Sequence, residues 1–258
     1  MSNHIVTLLH HSPGIRIMRR STIQSSVVAA ISIIPLLWVS TLVADSSQAD
    51  TYGPQIWFVR HAESEINVTD RWHVPDADVT YPLTSKGMKQ ARSLAERTKD
   101  VPIIEIYAST RLRAIQTADA IAFTHQIPIR LAPEMVEIDI GAYGSEKSNP
   151  EIVRFLQDRW ATDPSASYGE GESIVDLQNR VFPFIEQLME RHQNDEGVVI
   201  VAAHGGSISL GAVPLCHNEI FPDDLDPSDL PNTGILKTTI RSGKLICTNW
   251  VGQRLNVE

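Results

Sequence analysis

The sequence predicts an α/β fold: a three-layer sandwich in which a mainly parallel central sheet is covered by helices on both faces. Three observations carry this. From Ile56 onward, short apolar runs alternate with stretches of helical periodicity, the pattern of strand–helix units that build a parallel sheet. The runs Ile56-Trp57-Phe58-Val59 and Val198 to Ala202 are continuously apolar, as strands buried on both faces are. The chain closes with two β-prone runs flanking Ser242-Gly243, a hairpin signal.

Each element has its own local signal. Ile56 to Val59 is the first buried strand. Leu83-Thr84 opens a helix with Thr84 or Ser85 as N-cap, and Met88, Ala91, Leu94 and Ala95 recur on its inward face. Ile103 to Ala108 reads as the second strand, followed by a helix from about Arg111 to Phe123 with Ala114, Ala118 and Ile121 inward. Ile129 to Leu131 reads as a short third strand. Asn149-Pro150-Glu151 is a cap, a first-turn proline and a first-turn acid, which predicts a helix to about Trp160. Another helix runs from Ser173 to about His192, with Pro183 as a kink site. Val198 to Ala202 is the last buried strand before a short helix beyond Ser207, and Ile235 to Ile240 pairs with Leu245 to Asn249. The polar stretch from Gly144 to Gly171 reads as an insertion beside the site rather than a second domain.

The chain has 258 residues, 42% hydrophobic, which suits one domain with a substantial core. Its formal charge of −9 argues against nucleic acid as a partner, because binding a phosphate backbone needs a basic face. Residues 1–49 differ from the rest. Arg16, Arg19 and Arg20 precede an apolar run from Val27 to Ala44, and Ser47-Gln48-Ala49 fits a small-x-small cleavage pattern. This is the layout of a secretory signal peptide, with Met18 as an alternative start. The run is broken by Ser32, Pro35, Ser40 and Thr41, so it is marginal as a membrane anchor, the other reading. The expectation is a domain over residues 50–258, periplasmic or secreted, that meets a membrane only if the N-terminal segment is uncleaved. The two cysteines, Cys216 and Cys247, could then pair in an oxidising compartment or stay as buried thiols.

Two strands end in histidine. Val59 leads into Arg60-His61-Ala62-Glu63-Ser64, and Ala202 leads into Ala203-His204-Gly205-Gly206-Ser207. In open α/β sheets, ligands bind beyond the carboxyl ends of the strands. Small residues after each histidine allow close approach and expose backbone N–H groups, which suits anions. An arginine beside one histidine adds a planar donor fork matched to phosphate oxygens. A lone histidine is usually structural; two at strand ends, one of them beside an arginine, point to a site. No compact metal-ligand spacing occurs in the chain, and neither metal nor cofactor is expected.

These residues carry a resemblance to a known family. Arg60-His61-Ala62-Glu63-Ser64-x-x-Asn67 resembles the signature of the histidine phosphatase superfamily, the phosphoglycerate-mutase-like proteins. Leu83-Thr84-x-x-Gly87-x-x-Gln90-Ala91 and Ser109-Thr110-Arg111-Leu112-Arg113-Ala114-Ile115-Gln116-Thr117-Ala118 resemble its second and third blocks. Glu137-x-x-x-Gly141, Gly171-Glu172-Ser173, His204-Gly205-Gly206 and Asn232-Thr233 follow in family order. The resemblance implies roles by position. His61 is the expected nucleophile, forming a phosphohistidine. Arg60, Arg113 and His204 bind phosphoryl oxygens, with Asn67 and Gly205 assisting. Glu137 protonates the leaving oxygen. The implied activity is hydrolysis of phosphate monoesters on a small molecule or an envelope glycan. The alternatives are a phosphotransferring mutase, or a catalytically weak module that binds phosphate or a partner.

The departures from the family pattern are local. Ala62 stands where glycine is commonest. Arg111 stands where leucine is frequent, and reads as a solvated surface residue. Tyr143-Gly144-Ser145 lacks the glutamate that often follows Gly141, which leaves Asp139 as a rival acid. Glu63 is a further candidate, read equally well as a loop cap or a solvated carboxylate. His125, His192 and His217 carry no motif and read as surface residues, and Tyr143 and Trp72 as pocket walls or ordinary packing.

Overall fold

The computed structural model describes residues 53–69, 81–142, 150–167, 169–218 and 230–255. The N-terminal segment 1–49, Trp72, Tyr143 and the helix cap expected at Asn149 lie outside them. The sheet has seven strands in the order β3-β2-β4-β1-β5-β6-β7. These are β1 Pro54–Arg60, β2 Ile103–Ala108, β3 Ile129–Leu131, β4 Gly197–Ala203, β5 Ile235–Arg241, β6 Lys244–Trp250 and β7 Gln253–Arg254. The first four run parallel, and β5 to β7 extend the sheet antiparallel from β1. The α/β architecture expected from the alternating pattern is present, and the β5–β6 hairpin turns at Ser242 and Gly243, both at positive φ.

Both faces of the sheet are covered, which is why its central strands read as continuous apolar runs. Ile56, Phe58, Val199 and Val201 pack with Leu177, Val181, Ile185 and Leu188 of α5 (Ile174–His192) and with Leu156 and Trp160 of α4 (Pro150–Thr162). Trp57, Val59, Ile106 and Ile200 pack instead with Leu94 and Ala95 of α2 (Ser85–Thr98) and Ala118 and Ile121 of α3 (Leu112–His125). A four-residue α1 (Glu65–Val68) follows the first strand-end loop. Thr84 caps α2 by accepting from the Gly87 amide, and Ser173 caps α5 by accepting from the Asp176 amide. The α5 helix runs through Pro183 without a break.

Away from the strand-end loops the structure corrects two side-chain assignments. Met88 is exposed; the buried position at that turn belongs to Gly87, which packs so closely on the Glu63 carbonyl that no side chain fits. His192 is buried, not on the surface: Nδ1 meets Asp195 Oδ2 at 2.8 Å and Nε2 meets Glu105 Oε2 at 3.0 Å. Periodicity places a residue on a face, but it cannot count the neighbours that a tertiary partner brings.

Cys216 and Cys247 are joined as a disulfide, with Cα atoms 5.5 Å apart, inside the range that a bridge requires. The bridge ties the segment after the strand-end turn of β4 to β6. It spans 31 residues of sequence, and closing a loop of that length removes chain entropy from the unfolded state. Reduction, or the Cys216→Ala/Cys247→Ala double variant, is expected to lower the unfolding free energy by about 3 kcal/mol. Urea denaturation with and without reductant checks this, and equal midpoints would remove the bridge from the account of stability.

Candidate active site

Three adjacent parallel strands, β2, β4 and β1, end at the same edge of the sheet, and each carries a polar side chain just past its end. Arg60 is paired with Ala203 in the β1–β4 register, and the His61 amide continues the ladder onto the Ala203 carbonyl at 2.9 Å. The Ser109 amide does the same from β2 onto Ala202, also at 2.9 Å. His61 and His204 therefore stand side by side, with ring centroids 5.1 Å apart and both rings buried.

Two contacts set the tautomer of His61. Nδ1 lies 2.7 Å from the carbonyl of Ala62, which only accepts, so Nδ1 carries the proton. Nε2 accepts from Arg113 Nε at 3.2 Å, so it presents a lone pair. Burial pushes the imidazole pKa well below its ordinary value, and the Arg113 and Arg60 charges push it the same way, against the bond to Ala62. The ring is neutral at physiological pH. His204 is positioned differently: its Nε2 is 2.8 Å from Ser109 Oγ, and its amide donates to Ser207 Oγ at 3.2 Å. Ser109, at the end of β2, has no role in the sequence reading; its place in the third block was the signal available.

The arginines make the site cationic in an otherwise acidic chain. Arg60 donates through NH1 to the Leu230 carbonyl, and its buried Nε has no hydrogen-bond partner among the described residues. Arg113, in the first turn of α3, is almost fully buried; desolvation lowers its pKa to about 10, opposed by Glu137, so it remains charged at neutral pH. Arg111 was expected on the solvated surface. It is half-buried at the N-cap of α3, its pKa lowered by burial against the pull of Asp139 and Glu137.

Glu137 faces these arginines. Its Oε1 accepts from the amides of Ile138 and Ser207 at 3.0 Å each, and its Oε2 from the Gly206 amide at 3.2 Å. The carboxylate thus sits on the first amides of the π-helical turn Ser207–Ala212. Asp139 is used otherwise: its Oδ1 accepts from the Gly141 amide at 2.8 Å, in a turn where Gly141 takes φ +58° and a side chain would run into the Gly169 carbonyl. Glu63 acts as the cap that its alternative reading expected, bonded to Thr84 Oγ1 at 2.8 Å and Lys86 Nζ at 2.6 Å. Asn67 turns Oδ1 back to the Ser64 amide at 3.0 Å and to Asn232 Nδ2 at 3.4 Å.

The remaining motif residues hold the Arg60–Ser64 loop in place. Ala62 N donates to Thr117 Oγ1 at 2.9 Å and Glu63 N to Gln90 Oε1 at 2.8 Å. Asn232 Nδ2 donates to the His61 carbonyl at 3.0 Å. The Thr233 amide donates to the Arg60 carbonyl at 3.0 Å from a left-handed conformation, φ 58°, that costs a β-branched residue of order 1–3 kcal/mol. Among the described residues no group of His, Cys, Asp and Glu is arranged to hold a metal ion.

Residues 56–252 match the histidine phosphatase superfamily, branch 1, and the chain belongs to that family. It is 32% identical over 146 residues to phosphoserine phosphatase 1 of Hydrogenobacter thermophilus, covering 55% of this chain and 67% of that one. It is 29% identical over 164 residues to a probable phosphoglycerate mutase of Proteus mirabilis, covering 62% and 72%. Among solved structures, a mycobacterial glucosyl-3-phosphoglycerate phosphatase aligns with TM-score 0.62 at 21% identity, over 80% of this chain and 99% of that one. The phosphoserine phosphatase of Entamoeba histolytica aligns with TM-score 0.59 at 22% identity, over 76% and 95%. The structural likenesses show the fold; family membership and the phosphatase relatives make the chain a phosphoric monoester hydrolase.

Two outcomes follow from the geometry. A Cβ on Gly206 would stand 2.5 Å from Glu137 Oε1 and 2.9 Å from Ile138 Cγ2, whereas one on Gly205 would stand 3.7 Å from Arg60 Nε. Gly206→Ala is therefore expected to cost about 1–3 kcal/mol of stability and Gly205→Ala close to nothing; denaturant unfolding of both variants checks the contrast. Separately, nitrogen-resolved NMR at pH 6, below the ordinary imidazole value of 6.5, should show His61 neutral with the proton on Nδ1. A doubly protonated ring there would refute the assigned tautomer.

Proposed function

We propose that the chain hydrolyses phosphate monoesters in two steps, with Nε2 of His61 as the nucleophile. The observation that carries this is the tautomer: a neutral ring whose only lone pair is on the nitrogen that faces Arg113. In the first step the Nε2 lone pair forms the N–P bond as the bond from phosphorus to the leaving oxygen breaks, and Glu137 gives that oxygen a proton. In the second, water attacks phosphorus, Glu137 takes the water proton, and the N–P bond breaks to release inorganic phosphate. Arg60, Arg113 and His204 supply donors to the equatorial oxygens, where the negative charge spreads. The Arg113 N–H that touches Nε2 turns to a phosphoryl oxygen when substrate displaces it. Asn67, with Oδ1 engaged inward, offers its NH2 group, and Gly205 leaves the guanidinium face of Arg60 open.

The preference for Glu137 over Asp139 rests on what each carboxylate already holds. Asp139 closes its own turn. Glu137 Oε1 accepts two bonds, but Oε2 accepts one and keeps a site able to carry a proton. A mutase shares the first step and differs in the second, where a substrate hydroxyl replaces water. The similarity to phosphatases acting on phosphoserine and glucosyl-3-phosphoglycerate supports a small phosphorylated metabolite as substrate. A panel of phosphoserine, 3-phosphoglycerate and phosphorylated envelope sugars separates the substrates, and recovery of 2-phosphoglycerate rather than inorganic phosphate from the second would favour the mutase.

Export is part of the proposal. The basic and apolar layout of residues 1–49 supports a cleaved signal, and a disulfide between Cys216 and Cys247 suits an oxidising compartment. N-terminal sequencing of the native protein should then begin near Asp50; intact residues 27–44 in a membrane fraction would support the anchor.

His61→Ala is expected to abolish turnover and the acid-labile phosphohistidine trapped from labelled substrate. Wild-type turnover in that variant would end the nucleophile assignment. Arg113→Ala removes one charged donor and should lower kcat by about 10²–10³. Glu137→Gln should lose about 10²–10⁴ on phosphoserine. It should lose far less on p-nitrophenyl phosphate, whose leaving group needs little protonation; equal losses would transfer the role to Asp139.

A further inference from the structure

The acid loop, residues 133–141, joins no strand; beyond its one 3-10 turn, Pro133–Met135, the amides of Ile138, Asp139 and Gly141 all donate to side-chain carboxylates. We infer that Arg180, on α5, is the residue that positions it, and that Arg180 acts on the reaction only through Glu137, an inference that rests on the reading of Glu137 as the acid. The guanidinium is fully engaged. Nε and NH2 clasp Glu172 at 2.7 and 2.8 Å. NH1 donates to the carbonyls of Glu134 and Val136, the second at 3.0 Å, and NH2 donates to the carbonyl of Glu137 itself at 3.3 Å. With every donor of the fork committed, Arg180 has none to offer a phosphate.

Glu172 completes the device. Its Oε2 also accepts from the Asp139 amide at 3.0 Å, and its own amide donates to the Asp139 carbonyl at 2.6 Å. One ion pair therefore holds the backbone on both sides of Glu137, while the Gly206 and Ser207 amides hold its carboxylate. The pair is only partly exposed, with side-chain exposures of 20% and 24%, so solvent competes weakly for it. A planar fork is needed to reach converging carbonyls and a carboxylate at once, and an ammonium cannot do it. A small misplacement of a proton donor is costly to rate even when binding is untouched.

The test compares Arg180→Met and Arg180→Lys on phosphoserine and p-nitrophenyl phosphate. Expected is a kcat loss of about 10–100-fold on phosphoserine, a loss below about 3-fold on p-nitrophenyl phosphate, and an unchanged KM on both, with lysine failing to rescue. Combined with Glu137→Gln, Arg180→Met should add no further loss on phosphoserine. Equal losses on the two substrates, or additive losses in the double variant, would overturn the inference. If Arg180→Met fails to fold, Glu172→Gln, which keeps the shape of the pair and weakens its charge, must show the same selective loss, or the inference falls. If Glu137→Gln alone lowers both substrates equally, the acid assignment itself has failed, and the inference with it, whatever the Arg180 variants do.

Discussion

The parallel register between β1 and β4 is the constraint on which the rest of the site depends. Pairing Arg60 with Ala203 makes both strands stop at the same level, so the next residue of each is a histidine and the two rings meet edge to face. A slip of one residue would turn every side chain of one strand to the opposite face of the sheet and separate the pair. The register is held by burial on both faces: Val199 and Val201 lock into one core, Val198 and Ile200 into the other. The same pairing brings in β2, whose end supplies Ser109 to His204.

Gathering Arg60, Arg111 and Arg113 beside a neutral histidine is electrostatically unfavourable, and desolvation makes it more so. Glu137 offsets part of this, since its charge raises the pKa of all three. The cationic excess that remains suits a phosphate dianion, which in the proposed reaction would neutralise it. Burial, with the charges of Arg113 and Arg60, keeps His61 neutral, so in the proposed reaction anion binding and nucleophile activation share those two charges.

Rigidity comes from side chains bonded to backbone more than from regular structure. The loop after β1 is held by Thr117, Gln90 and Asn232, and the acid loop by Arg180 and Glu172.

The sequence by itself determined the strand ends, the helix caps and which residue types stand beyond the strands, because these are local. An apolar run that stops at Arg60-His61 or at His204-Gly205 states where a strand ends and what stands there, and Thr84 and Ser173 cap the helices that follow them. Tertiary structure decided what depends on distant partners. Arg180 finds Glu134 46 residues away, and Ser109 finds His204 95 away. Arg111 and His192, which carry surface-like sequence, are drawn inward by Asp139, Glu105 and Asp195. Hydrophobic periodicity records which way a side chain faces, whereas the worth of a polar group is set by the charges and carbonyls that folding brings to it. That is why the strand-end histidines and the arginines near them were legible along the chain, and the contacts that Arg180 and Ser109 make were not.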